Sequence, residues 1–187
     1  MDIAELKAEL EKLHSSSFGW ALSCCRHDRG EAEEVLQTVY LKILEGQARF
    51  RGESSFRTWL FAVIHKTAAG ERRKNLLRKL RLVRESQAES DGIAPADRPD
   101  VAAERSETQA QFLRALEQLP GRQRQTLHLV FYQDLSLREA ADVMGVSVGS
   151  ARRHYERGKK RLREFLGEAE ISYGVKWGGE KNPSVVS

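Results

Sequence analysis

The stretch from Leu135 to Leu166 constrains the fold more than any other part of the chain. Ser136 and Glu139 stand in the S-x-x-E relation, in which one hydroxyl and one carboxylate satisfy the free N–H groups where a helix begins. Ala140, Ala141, Val143 and Met144 then give a short helix an apolar side, small where another helix must come close, and Gly145 can take the left-handed conformation that stops it. Ser147 is a second N-cap. After it, Val148, Ala151, Tyr155, Leu162 and Leu166 recur at helical spacing as a buried stripe, while Ser150, Arg152, Arg153, His154 and Arg157 take the other face. Helix, short glycine-bearing turn and second helix is the geometry that lays a helix in the DNA major groove, with residues near its N-terminus at the base edges. A basic face alone would be no more than a solvated one; its coincidence with two caps, a glycine stop and small packing residues points to DNA.

The 187 residues are enough for two small domains, each with a modest core. A charged fraction of 31%, an aromatic fraction of 7% and little strand-like alternation predict an all-α protein. Net charge is only +4, so attraction to nucleic acid must come from local clustering. No apolar run could cross a bilayer, and the first twenty residues carry acids where a secretory leader has a basic start, which places the chain in the cytoplasm. Cys24 and Cys25 are adjacent, and helical neighbours point about 100° apart, against a disulfide between them. Cys24 and His27 have the spacing of half a metal site, but no second pair follows, so no metal is expected. With no Gly-rich phosphate loop and no nucleophile elbow, the chain reads as a binding protein that needs no cofactor and is not an enzyme.

Residues 2–13 alternate Ile3, Leu6, Leu10 and Leu13 with charges, an amphipathic helix ending near Ser15; an apolar segment from Phe18 to Cys25 and a turn at 27–30 follow. In the next helix Ala32, Val35, Leu36, Val39, Tyr40, Ile43 and Leu44 share one side, Glu31, Glu33 and Glu34 favour its N-terminus, and Gly46 can close it. A polar loop then leads to a cap at Ser54 or Ser55 and a long helix lined by Phe56, Trp59, Leu60, Val63, Ile64 and Thr67. Beyond Glu71 that helix turns basic through Arg72, Arg73, Lys74, Arg78, Lys79, Arg81 and Arg84, which suits a phosphate backbone. Residues 85–107 reverse the sign, contain Pro95 and Pro99 and read as a flexible linker. A helix over 108–118 and another from Arg122 to Phe131 would back the helix-turn-helix, and the tail 168–187 has no usable pattern. The expected architecture is two small helical domains, 1–84 and 108–167, joined by the linker, the second a helix-turn-helix domain.

The segment from ALEQLPGRQRQTLHLVFYQ through REFL resembles the C-terminal domain of bacterial RNA polymerase sigma factors, and EAEEVLQTVYLKI followed by ARFRGESSFRTWLFAVIHKTAAGERRK resembles their second conserved region. A short chain with only these two regions is similar to the extracytoplasmic-function (ECF) group. The resemblance implies core RNA polymerase and promoter DNA as partners, with an anti-sigma protein as regulator. It implies that Glu34, Gln37, Leu41 and Lys42 face the polymerase, and that Arg51, Gly52, Glu53 and Ser54 form a specificity loop holding a flipped base, with Lys66 beside it. By the same likeness Ser150, Arg152, Arg153, His154 and Arg157 contact the upstream promoter element, Ser150 and Lys159 being better placed for phosphates, while Arg72 and Arg73 belong to the basic segment suited to DNA. The chain departs from the family pattern at Lys66, commonly asparagine, and at Thr38 and Gly70, commonly acidic, which bears on downstream sequence preference. The competing reading is a stand-alone regulator that dimerises on duplex DNA through a different N-terminal domain.

Overall fold

The computed structural model describes residues 2–85 and 114–167, with the side chains of 79, 82–85 and 167 excepted; the body of the expected linker, the start of the helix expected over 108–118 and the tail lie outside them. Every regular element among the described residues is helical. Helix α1, Ile3–Lys12, opens on a reciprocal capping box between Asp2 and Glu5. It stops at Leu13, and α2, His14–Cys24, starts at once, four residues ahead of the expected Phe18. Its serines are the misleading signal: Ser17 and Ser23 are buried inside the helix, where their composition suggests a connection.

Between α2 and α3 (Arg29–Leu44), Arg26 and His27 both adopt left-handed φ values, 56° and 66°, a conformation non-glycine residues rarely take. Asp28 then caps α3 by accepting from the Glu31 N–H at 2.9 Å, so the helix begins earlier than its acids suggest. Gly46, at φ 73°, closes it as expected. The Ser55 hydroxyl accepts from the Thr58 N–H at 3.1 Å at the start of α4, Phe56–Glu85, which runs one residue into the expected linker. The buried stripe of α4 is Leu60, Phe61, Ile64, Thr67 and Ala68, rotated from the expected one so that Trp59 is only partly buried.

A helical turn at 114–117 precedes Pro120, which occupies the N-cap of α5, Gly121–Leu127. Here the proline stands outside the first turn. The helix expected to continue to Phe131 instead widens into one π-turn, His128–Tyr132, closed by Gln133 N–H donating to the His128 carbonyl at 3.2 Å. Helix α6, Leu137–Met144, has the Ser136–Glu139 capping box and ends on Gly145 at φ 62°; α7, Val148–Gly167, starts where the Ser147 hydroxyl accepts from the Ser150 N–H. Helix α7 packs on α5 through Gly158 and Leu162, and Ala151 in its first turns is fully buried. Val148 is instead exposed, and Tyr155 and Leu166 are half-buried, so the expected stripe is narrower than its spacing implies.

The two helical units are also packed on each other. Leu129, Leu135, Ala140, Val143 and Met144 belong to the same apolar core as Trp20, Val39, Phe61 and Ile64, with α6 lying on α4 and the π-turn on α2. A smaller core of Ala115, Leu116, Leu119, Leu127 and Leu162 lies under α7. At the junction Trp20 has no exposed surface; its indole N–H donates to the Phe61 carbonyl at 3.0 Å, and its ring lies 5.5 Å from that of His128 and 6.1 Å from that of His65.

Gly158 sits where α7 crosses α5, and a β-carbon there would meet the Leu127 side chain at 3.1 Å and Gln123 Cβ at 3.3 Å. Leu127 is itself buried and cannot yield to a large group. The variant Gly158→Leu should cost about 1–3 kcal/mol by overpacking, measured as a lower urea midpoint.

Burial holds both junction histidines neutral. His65 falls to about 4, pushed down further by Arg122 and Arg72 against a smaller upward effect of Gln125, and His128 falls to about 4, with His27 adding to the effect of burial. An unfolded histidine binds its proton near 6.5, so between about pH 6.5 and 4 the unfolded chain holds more protons than the folded one. The stability these two groups confer is therefore complete above pH 6.5 and is lost as pH falls towards 4, on the order of a few kcal/mol. Thermal melts from pH 7.5 to 4.5 should show this decline, and a His65→Gln, His128→Gln variant should flatten it.

Candidate nucleic-acid and partner interface

The N-terminal turns of α7 present a compact cationic surface. Its capping serine fixes the backbone, and the Ser147 hydroxyl also donates to Ser150 Oγ at 3.0 Å. The Arg153 guanidinium reaches the same oxygen at 3.4 Å, so Ser150 is engaged within the turn. Arg152, Arg153 and Arg157 are exposed. His154 is half-buried between them, and its pKa is lowered by burial first and then by Arg122, Arg153 and Arg157. The three guanidiniums around the imidazole form a local concentration of positive charge of the kind that attracts phosphates. The Lys159 ammonium lies 5.0 Å from the centre of the Tyr155 ring, one turn back along its own helix.

In the N-terminal unit Arg51, Gly52, Glu53 and Ser54 form an exposed loop, with Gly52 at φ 76° making its turn. Beneath it Phe50, Phe56 and Trp59 form a triad of rings, with centroids 5.4 Å apart for Phe50 and Phe56, 5.5 Å for Phe50 and Trp59, and 5.2 Å for Phe56 and Trp59. A ring triad under a polar loop can offer a stacking face to an unpaired base. Trp59 falls on the periodic stripe expected in the core; the clustering of three aromatics around the polar loop is the sequence signal for this second role.

Helix α4 divides the remaining cations. Trp59, Lys66 and Arg73 are seven residues apart in turn, which puts them on one face, and Lys66 and Arg73 are exposed. Arg72 is exposed as well, seven residues from His65, and its charge is felt at Cys24, Cys25 and His65 of its own unit and at Arg124 of the other. The two neighbouring arginines are offset by about 100° around the helix. Lys74 is paired with Glu71 at 2.8 Å.

On α3, Glu34, Gln37 and Leu41 are exposed along one face and Lys42 is half-exposed. Leu41 retains 57% of its surface and Leu44, expected in the core, retains 43%. Beside them an open groove of about 370 Å³ runs between α1 and α3, lined by Lys7, Leu10, Glu11, His14, Tyr40 and Leu44, with His14 Nδ1 3.1 Å from the Tyr40 hydroxyl. Among the described residues no cluster of His, Cys, Asp and Glu could hold a metal ion, and no helix is long and apolar enough to cross a membrane.

Two family models match: Sigma-70 region 2 over residues 11–78 and Sigma-70, region 4 over residues 109–162. The RNA polymerase sigma factor CarQ of Myxococcus xanthus is 30% identical over 140 residues, covering 75% of this chain and 77% of that protein. The RNA polymerase sigma-H factor of Pseudomonas aeruginosa is 29% identical over 149 residues, 75% of each chain. The ECF RNA polymerase sigma factor SigX of Bacillus subtilis is 28% identical over 140 residues, 74% of this chain and 72% of that one. In three dimensions the chain superposes on the sigma factor RpoE of Bartonella quintana, solved with the anti-sigma factor NepR, at a TM-score of 0.65 and 24% identity, over 90% of this chain and 100% of that chain, a shared fold.

Because Arg152 and Arg153 are exposed on a capped helix, Arg152→Ala, Arg153→Ala should lower affinity for duplex DNA with unchanged helical content by circular dichroism. If an arginine bonds a phosphate, its removal should reduce the slope of log affinity against log salt by about one; if it reads a base, its removal should cost about 1–3 kcal/mol at one position of the site. Anisotropy titrations at several salt concentrations separate the two.

Proposed function

The chain belongs to the extracytoplasmic-function group of bacterial RNA polymerase sigma factors, and from that membership we propose a division of labour among its surfaces. As a sigma factor it binds core RNA polymerase and directs initiation at particular promoters. The single observation that carries the assignment is the presence of regions 2 and 4, in that order, in one chain. A stand-alone dimeric regulator would share the helix-turn-helix but not the N-terminal unit.

The unit over residues 1–84 holds polymerase and the downstream element, residues 85–107 are the tether, and residues 108–167 read the upstream element. Glu34, Gln37, Leu41 and Lys42 are the polymerase-facing residues; exposed Leu41 and Leu44 supply the apolar surface such a contact needs. The loop Arg51, Gly52, Glu53 and Ser54 receives a base from the opening duplex, and the Phe50, Phe56 and Trp59 rings beneath it offset part of the few kcal/mol that unstacking costs. Lys66 and Arg73 hold the neighbouring strand by its phosphates. Ser150, Arg152, Arg153, His154 and Arg157 meet the upstream element. We read the chain as cytoplasmic, without an enzymatic activity of its own, and as the target of an anti-sigma protein, as its structural neighbour is.

The deciding experiment is transcription from a promoter library by core polymerase with and without the chain: a distinct set of start sites should appear only with it. Leu41→Lys and Lys42→Glu, folded by circular dichroism, should each weaken association with core polymerase by about tenfold or more in pull-down titrations, the loss expected for a residue central to an interface. An unchanged yield of complex would remove this face from the assignment.

A further inference from the structure

Beyond Glu71, helix α4 leaves the body of the N-terminal unit. Of the side chains described from Arg72 to Arg81, only Asn75 is even partly covered and the others are exposed. Leu76, Leu77 and Leu80 keep 59%, 58% and 57% of their surface, three neighbouring leucines in water on one short stretch. Successive helical residues turn by about 100°, so these three share an arc of about 100°, with Leu80 between Leu76 and Leu77. By the same rotation Arg81 borders the arc beyond Leu77, Arg72 borders it beyond Leu76, and Arg73 enters it one turn earlier. Between Glu71 and Glu85 the sequence has seven cations and no acid. Only Lys74, held by Glu71 at 2.8 Å, is in an ion pair with another described residue.

The two properties together restrict what covers this helix. A phosphate backbone accounts for the cations and leaves the leucines without an apolar neighbour. A second copy of the helix would set like charge against like charge. A protein groove would have to match the helix in shape and carry an acidic rim as well. An anionic bilayer supplies apolar depth and negative charge with no matched shape, and it receives a single convex helix as it stands. Arginines at both edges of a leucine arc suit that setting, because their long stems let the charge stay among the headgroups while the leucines sit lower.

We propose that the C-terminal turns of α4 are a peripheral membrane-binding element, lying along an anionic lipid surface with Leu76, Leu77 and Leu80 below the headgroups and the flanking arginines at the lipid phosphates. The contact is one of lying on the membrane; none of the described helices is long and apolar enough to cross it. It goes beyond the sigma-factor reading and does not depend on it. Affinity comes from two modest contributions, buried apolar area and attraction to the anionic surface, so removing either should release most of the protein.

The test sediments the full chain with vesicles of phosphatidylglycerol mixed with phosphatidylcholine, and with vesicles of phosphatidylcholine alone. Binding should appear with the first and not the second, and should weaken as salt rises. Leu76→Ala, Leu77→Ala, Leu80→Ala should reduce the partition coefficient by on the order of tenfold, and Arg78→Gln, Arg81→Gln by a similar factor. Helical content should stay unchanged in both, because these side chains are exposed and alanine and glutamine are good helix formers. Should the triple variant fail to fold, Leu77→Ala alone should give a smaller loss in the same direction. Absence of binding to the anionic vesicles would overturn the proposal and leave an acid-rimmed protein groove as the occupant. Binding undiminished in the folded leucine variant would overturn it too, since charge alone would then hold the chain. The vesicles contain neither polymerase nor DNA, so neither result touches the functional reading.

Discussion

A tryptophan with no solvent contact has to find an acceptor for its N–H inside the protein, and Trp20 finds it on the backbone of α4. That bond joins α2 to α4 at a fixed depth, and the ring then becomes the floor on which His65 and His128 lie. Truncating a fully buried tryptophan typically costs about 3–5 kcal/mol, a large share of what a small helical protein has. Its position matters as much as its size: it is the residue at which the core of the N-terminal unit becomes continuous with the π-turn of the other. The widening at His128–Tyr132 fits this role, since it carries the chain from α5 across α2 and delivers Gln133 to Arg57.

The surfaces proposed to face polymerase, to receive a base and to read the upstream element occupy different elements, and the cations are divided among them. With a net charge of only +4, attraction to DNA rests on where the cations gather. Each is a local concentration: three guanidiniums around His154, or Lys66 and Arg73 in line with Trp59. Such a distribution favours binding that requires several surfaces to engage at once, the physical content of a specificity subunit, over tight independent adhesion to duplex DNA.

Local chemistry is legible wherever one residue type has one structural use. The Ser136–Glu139 box, the left-handed Gly145, the Gly46 stop and the Ser55 cap all stand where the residues imply. Errors arise where a pattern serves two readings. Serines in α2 suggest a turn, and Ser17 is buried in a helix; Leu44 matches the buried stripe of α3 and faces the groove; Trp59 packs against the core as its spacing implies and also meets the rings beside the loop. The joint core is not legible at all, because periodicity says which face of a helix is apolar but never whose apolar face covers it.

Cys24 and Cys25 lie against this same junction, and burial raises both thiols, Cys25 to about 12. Oxidants and electrophiles attack the thiolate, which at neutral pH is almost absent here. Burial and protonation together thus leave these two adjacent sulfur atoms poor nucleophiles towards peroxide or alkylating agents for as long as the junction stays packed.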